Sequence, residues 1–211
     1  MGEYEKLFGL GENYTLEDLR SAYLGKIRKI VERAKEARWQ GFLQQRNIFI
    51  KLTDAFLVLY KKKAEPTKRT DAYERAETTF KQGKVAYYEG NYRNAAEMFQ
   101  EAITINPYKH SYYGFLGLAL KNLRSYDAAV KALENAIRLF PINKDYWMSL
   151  GEVYLEAGKK TKAMESYAAA YLVDPNDLKP LEKMDEIDPT AFILRKRKGF
   201  SKGLFGLFKK K

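Results

Sequence analysis

Glycine recurs at Gly83, Gly117 and Gly151, and proline at Pro107, Pro141 and Pro175, each series at steps of 34 residues. Alanine keeps the same step at Ala95, Ala129 and Ala163, and again at Ala102, Ala136 and Ala170. Between the two alanines stands one large apolar residue each time: Phe99, Leu133, Tyr167. Five columns in one register define a repeating supersecondary unit, which stacks into a solenoid. Each unit reads as two antiparallel helices. In the second unit helix A covers about 109–123 and helix B about 126–140. Glycine in the middle of a helix costs about 1 kcal/mol against alanine. Its recurrence there implies that helix B lies too close to leave room for a Cβ. The paired alanines allow that approach, and the large residue between them fills the space. The segments Gly90-Asn91-Tyr92, Arg124-Ser125-Tyr126 and Gly158-Lys159-Lys160 read as A-to-B turns, and each proline stops a helix B and opens the next unit.

This period and column content resemble the tetratricopeptide repeat over roughly 76–177, as three units at about 76–109, 110–143 and 144–177. The resemblance implies an all-α solenoid that binds other proteins without catalysing. It also implies that the first helix of each pair lines a concave groove. Groove positions lie three before, one after and four after each glycine. They read Phe80, Lys84, Tyr87; Gly114, Leu118, Lys121; and Met148, Glu152, Leu155, with Tyr88, Phe115, Asn122 and Glu156 at the margins. About half of the aromatics are expected to be open to the groove. Such a mix suits a helix or extended segment with apolar anchors. Relatives that grip the carboxylate tail of cytosolic chaperones use a basic and amide clamp. The matching positions are Phe80, Lys84, Phe115, Asp145 and Ser149, of which only Lys84 is basic, so recognition of such a tail is not expected.

Four blocks follow: a first helical domain at 1–60, a polar proline-containing linker at 61–71, the repeats with a cap at 72–189, and a basic tail at 190–211. Leu181, Met184 and Ile187 at helical spacing make 178–187 the expected cap over the third repeat. Residues 72–80, with the N-terminal block as a second candidate, are expected to cover the first repeat. The acidic cluster Asp185-Glu186-Asp188 reads as charge on that cap rather than as a metal site.

The N-terminal block has three short matches in order: residues 4–10 (YEKLFGL), 15–23 (TLEDLRSAY, with Thr15 and Asp18 placed to cap a helix) and 54–59 (DAFLVL). Together they resemble a J domain, which implies a three-helix fold. The His-Pro-Asp tripeptide through which J domains stimulate a DnaK-type chaperone is missing, and no histidine precedes His110. In its place the sequence runs on through Ile30-Val31-Glu32-Arg33, so the second helix is expected to continue to about Arg38 and turn near Trp39-Gln40-Gly41. The basic series Lys26, Arg28, Lys29, Arg33, Lys35 and Arg38 reads either as a solvated face or as the counterpart of a chaperone-docking helix. The block is therefore a degenerate J-like module for docking or structure.

Charge divides unevenly. The chain carries +11, but residues 1–71 hold +5, residues 72–189 hold −2 and the last 22 residues hold +8. A general nucleic-acid-binding surface is thus not implied for the repeats. In the tail, Arg195-Lys196-Arg197-Lys198 precede Phe200, Leu204, Phe205 and Phe208. Phe200, Leu204, Leu207 and Phe208 share a face if the segment is helical. Three readings stand: a solubilising end, a segment for an anionic membrane surface or a partner, or a nucleic-acid contact, the last the least favoured.

No cysteine and a single histidine exclude a disulfide framework, a thiolate site and a His-based metal centre. No Gly-rich phosphate loop or activated nucleophile is present, so no enzyme and no cofactor is expected. His110, opening a repeat helix, reads as structural. No apolar run of signal-peptide or membrane-spanning length occurs, which implies a cytoplasmic chain, with the tail a candidate for peripheral attachment at the inner membrane face. The sequence therefore predicts a protein-binding adaptor, with a co-chaperone-like protein as the alternative.

Overall fold

The computed structural model describes residues 2–36, 46–63 and 70–190. Among them run ten helices: α1 (Glu3–Phe8), α2 (Leu16–Glu36), α3 (Arg46–Lys63), α4 (Asp71–Tyr88), α5 (Tyr92–Ile105), α6 (His110–Asn122), α7 (Tyr126–Leu139), α8 (Lys144–Glu156), α9 (Lys160–Val173) and α10 (Lys179–Ile187). The pairs α4/α5, α6/α7 and α8/α9 form the three repeats, each stacked on the next, and α10 packs on α9.

The close approach inferred from the sequence is present. An added Cβ would come within 2.8 Å of Phe99 at Gly83, 2.6 Å of Leu133 at Gly117 and 2.5 Å of Tyr167 at Gly151. The large column residue fills the space at each glycine, and Phe99, Leu133 and Tyr167 are fully buried. The B helices end at Ile105, Leu139 and Val173, two residues before each proline.

The A-to-B turns read from the sequence share one backbone conformation. Gly90, Arg124 and Gly158 all have positive φ (82°, 56° and 74°) and close the A helices. At each, the following residue donates its N–H back five residues: Asn91 to Ala86 O, Ser125 to Leu120 O, Lys159 to Tyr154 O. This left-handed closure suits glycine, and Arg124 adopts it with a side chain.

α2 starts on the expected reciprocal cap: Thr15 N–H donates to Asp18 Oδ2 at 2.8 Å, and Asp18 N–H to Thr15 Oγ1 at 3.1 Å. The Thr15 N–H and the Thr15 hydroxyl, which both donate to Asp18 Oδ2 at 2.8 Å, hold that carboxyl below its ordinary range. α2 and α3 run antiparallel, with Tyr23 against both Thr53 (2.9 Å between hydroxyls) and Phe56 (4.7 Å between ring centres), and the Arg20 guanidinium over Tyr60. α2 is described to Glu36, and the turn expected at 39–41 lies outside the described residues.

Three expectations need correction. α3 runs through Lys63, so the first residues of the segment read as linker are helical. Residues 72–80 do not cover the first repeat from outside, because they are the first turns of its own helix A, an 18-residue α4 capped by Thr70. Nor does the N-terminal block cover that repeat. α2 packs on α7 and α9, and α3 on α9, which are the second helices of the second and third repeats. Tyr60 meets Phe140 edge-on at 5.5 Å, and Glu17 pairs with Arg138 at 3.5 Å. One core therefore joins Leu19, Tyr23, Ile27, Val31 and Phe56 to Leu133, Leu150, Tyr167, Leu172 and, in α10, Leu181 and Met184. The first repeat and its junction with the second have a separate core built on Phe80, Phe99, Tyr112 and Leu116.

Candidate functional site

α6 touches both α4 and α8, whereas the second helices of the pairs stand further apart, so α4, α6 and α8 line the inner face of the stack. Its first-repeat end is aromatic. Phe80, expected as a groove residue, is buried at 8% exposure: its ring lies among Phe99, Tyr112 and Phe115, at 5.6, 4.8 and 5.4 Å. A ring with that many neighbours is core, and the groove receives only what lies over it. That is Lys84, whose ammonium stands 5.8 Å from the Phe80 ring centre and 5.5 Å from that of Phe115. Tyr87 packs edge-on against Phe115, Tyr88 and Tyr92, and Asn122 donates to its hydroxyl at 3.4 Å. Tyr88 is 73% exposed.

The middle of the face carries Leu118, Met148 and Leu155, each half-buried. Lys121 spans α6 to α8 and donates to Glu152 at 2.6 Å. Burial alone would lower the Lys121 ammonium, but the Glu152 hydrogen bond and the charges of Glu152 and Glu156 hold it above its ordinary value. Gly114 is also occupied from the next unit: a Cβ there would lie 2.5 Å from the Tyr146 ring. The five clamp positions assemble no cationic cradle, since Phe80 is buried, Phe115 is half-buried and Asp145 is an exposed acid.

Polar ties set the register between repeats. Tyr112 donates to Glu77 at 2.6 Å, and Lys109 pairs with Glu77 at 3.4 Å. His110 Nδ1 lies 2.8 Å from the Tyr146 hydroxyl, and its ring stacks on Phe140 at 4.6 Å. Lys144 bridges Asp174 and Asp177 at 2.9 and 2.8 Å.

A residue set missed in the sequence lies one register step beyond the last glycine. That step falls on Asp185 of α10, so Glu182 and Glu186 occupy the positions that Met148 and Glu152 hold on α8. Extending the 34-residue count past the third unit would have found them. A second missed feature is a cleft of about 530 Å³ between α2 and α7–α9, floored by Leu24, Ile27, Ile137 and Leu150 and edged by charges of both signs. The tail residues Arg195, Lys196, Arg197, Lys198, Phe200, Leu204, Phe205 and Phe208, and with them the membrane and nucleic-acid readings, lie outside the described residues. Among the described residues no helix is long and apolar enough to cross a membrane.

Comparison with known proteins agrees with this geometry. Tetratricopeptide-repeat family models match residues 76–109 and 116–180. The chain is 30% identical over 91 residues to tetratricopeptide repeat protein 7A of Homo sapiens, covering 43% of this chain and 11% of that protein. It is 30% identical over 111 residues to the small glutamine-rich tetratricopeptide repeat-containing protein 2 of Saccharomyces cerevisiae, covering 53% and 32%. It thus spans a third or less of the length of these curated relatives. Among solved structures, the Arabidopsis OM64 TPR domain superposes with a TM-score of 0.54 at 18% identity, over 56% of this chain and 98% of that one. The first TPR of Spaghetti (RPAP3), bound to the HSP90 peptide SRMEEVD, does so with 0.53 at 16%, over 56% and 93%. The three helix pairs are tetratricopeptide repeats, and the regular structure among the described residues is all α-helical.

Proposed function

We propose that this tetratricopeptide-repeat chain is a non-catalytic adaptor that holds a segment of a partner protein along the inner face of α4, α6 and α8. One observation carries the reading: an accessible strip runs from Lys84, Tyr87 and Tyr88 to Leu118, Met148 and Leu155 across three separate helices. Apolar anchors on a helix or extended segment fit that strip, and Lys84 offers a cation at its aromatic end. Peptide-bound relatives such as the RPAP3 domain support a peptide as the class of ligand. Their peptide ends in acidic residues, whereas here Lys121 is already paired with Glu152 and Asp145 opposes such an end, so the apolar strip carries the specificity. The test is a pull-down comparing wild type with Tyr87→Ala/Leu118→Glu. Loss of partners from the variant is expected, and recovery of the same partners by both proteins overturns the reading.

The N-terminal helices support a degenerate J-like module beside the adaptor: a short α1 lies against the antiparallel pair α2 and α3. Without His-Pro-Asp, and with one face of α2 committed to α7 and α9, this module serves to brace the repeats or to contact a DnaK-type chaperone without stimulating it. Stimulation of such a chaperone's ATPase by the intact protein would sink that assignment.

A further inference from the structure

The inner face changes character along its length. Its first-repeat end is aromatic with a single lysine, whereas its far end is acidic. There α8 supplies Glu152 and Glu156, and α10 supplies Glu182 and Glu186. The two helices share one core, through Leu150 and Tyr154 of α8 and Leu181 and Met184 of α10. Lys121 pairs with Glu152 at 2.6 Å and Lys183 with Glu186 at 2.7 Å, and Lys179 stands exposed at the start of α10. Glu156 and Glu182 are exposed and make no ion pair among the described residues.

Buried polar atoms near this cluster lack partners. The Tyr167 side chain is fully buried, and its hydroxyl has no hydrogen-bond partner. Burial raises its pKa first, and the charges of Glu152, Glu186 and Glu156 raise it further. Asp185 Oδ1 is also buried and unpaired. The exposed carboxylates favour a cationic occupant whose N–H groups can donate to them.

The chain carries such an occupant immediately downstream. Residues 191–211 hold eight Lys and Arg side chains and no acidic one. They follow α10 directly, and Thr190 is tied to Asp188 by its N–H at 2.9 Å and its hydroxyl at 2.6 Å. From Thr190 to Arg195 an extended chain reaches about 17 Å, whereas the nine-residue α10 is about 14 Å long. The first basic run is therefore within reach of every carboxylate on α10.

We propose that the acidic end of the inner face, built by Glu152 and Glu156 of α8 with Glu182 and Glu186 of α10, is a docking surface for the chain's own basic segment 191–211. The segment then occupies one end of the surface that a partner uses, and a partner reaching that end must displace it. This rests on the reading of the inner face as a docking surface.

The chain has no cysteine, so a single Ser201→Cys carries a nitroxide label in the full-length protein. Amide signals of residues 152–156 and 179–187 should lose most of their intensity in the oxidised state, with α4 signals unaffected. Raised salt, or the surface variant Glu156→Gln/Glu182→Gln/Glu186→Gln, should restore them. Undisturbed α8 and α10 signals in the wild type, or broadening that survives the variant, overturns the proposal. Broadening seen on unlabelled chains mixed with labelled ones assigns the contact to a second copy and overturns it as well. So does a label that responds only to phosphatidylserine vesicles, which assigns the tail to a lipid surface. No external partner enters this readout, so it fails or succeeds separately from the pull-down.

Discussion

Gly151 and Tyr167 are packed so closely that a methyl group on the glycine would lie 2.5 Å from the tyrosine ring. The ring cannot retreat, because it is fully buried between α8 and α9 in the core shared with the N-terminal helices. Gly151→Ala should therefore destabilise the chain by about 1–2 kcal/mol, because overpacking outweighs the roughly 1 kcal/mol gained in helix propensity. Gly25 in α2 has nothing within 4 Å of an added Cβ, and Gly25→Ala should stabilise by up to about 1 kcal/mol. Urea midpoints for the two variants, moving in opposite directions, are the check.

Arg124 holds a φ of 56° at the position where the flanking repeats have Gly90 and Gly158. A Cβ in that region is strained, and glycine relieves it at some cost in unfolded-state entropy. Arg124→Gly should raise the midpoint of thermal unfolding, corresponding to about 0.5 kcal/mol. Unchanged or lowered stability would show that the arginine side chain supplies a compensating contact.

Ile27 of α2 is 2% exposed in the core that also contains Leu150, Tyr167 and Leu181. Ile27→Ala should cost about 2–4 kcal/mol. Hydrogen exchange should show the loss in α7–α10 as well as in α2 and α3, with less effect on α4 and α5. Loss confined to α1–α3 would mean that the N-terminal block unfolds independently.

His110 gives a pH signature. Burial first, then the charges of Lys109 and Arg20, lowers its pKa from 6.5 to about 4. Between these values the unfolded chain binds a proton that the folded chain refuses. The stabilisation from neutral His110 is therefore complete above about pH 6.5 and declines as pH falls towards 4. His110→Gln should flatten stability across that window relative to wild type, as read from urea titrations at several pH values. Parallel curves would contradict the assignment.

Much of the fold was legible because each repeat specifies local contacts. Gly83, Gly117 and Gly151 announced a close neighbour, and the large column residue of helix B fills each site. Thr15 and Asp18 announced the start of α2. The inner face was less legible. Phe80 was placed on the groove and Tyr88 at its margin; Tyr88 is exposed, whereas Phe80 is core. Helical spacing gives a side chain's direction and not the number of rings that meet it. The acids of α10 were read as cap charge and not as a continuation of the register, because Asp185 breaks the glycine column.

By itself the sequence determined three helix pairs, their turns and the faces that pack within each pair, because contacts between neighbouring helices recur with the period. Only the tertiary structure decided where the N-terminal helices sit. The contact of Tyr60 with Phe140 and that of Glu17 with Arg138 join residues far apart in the chain. Such pairings follow shape and charge matching between whole surfaces and leave no periodic trace. They fuse α1–α3 with the last two repeats and leave the first repeat on its own core.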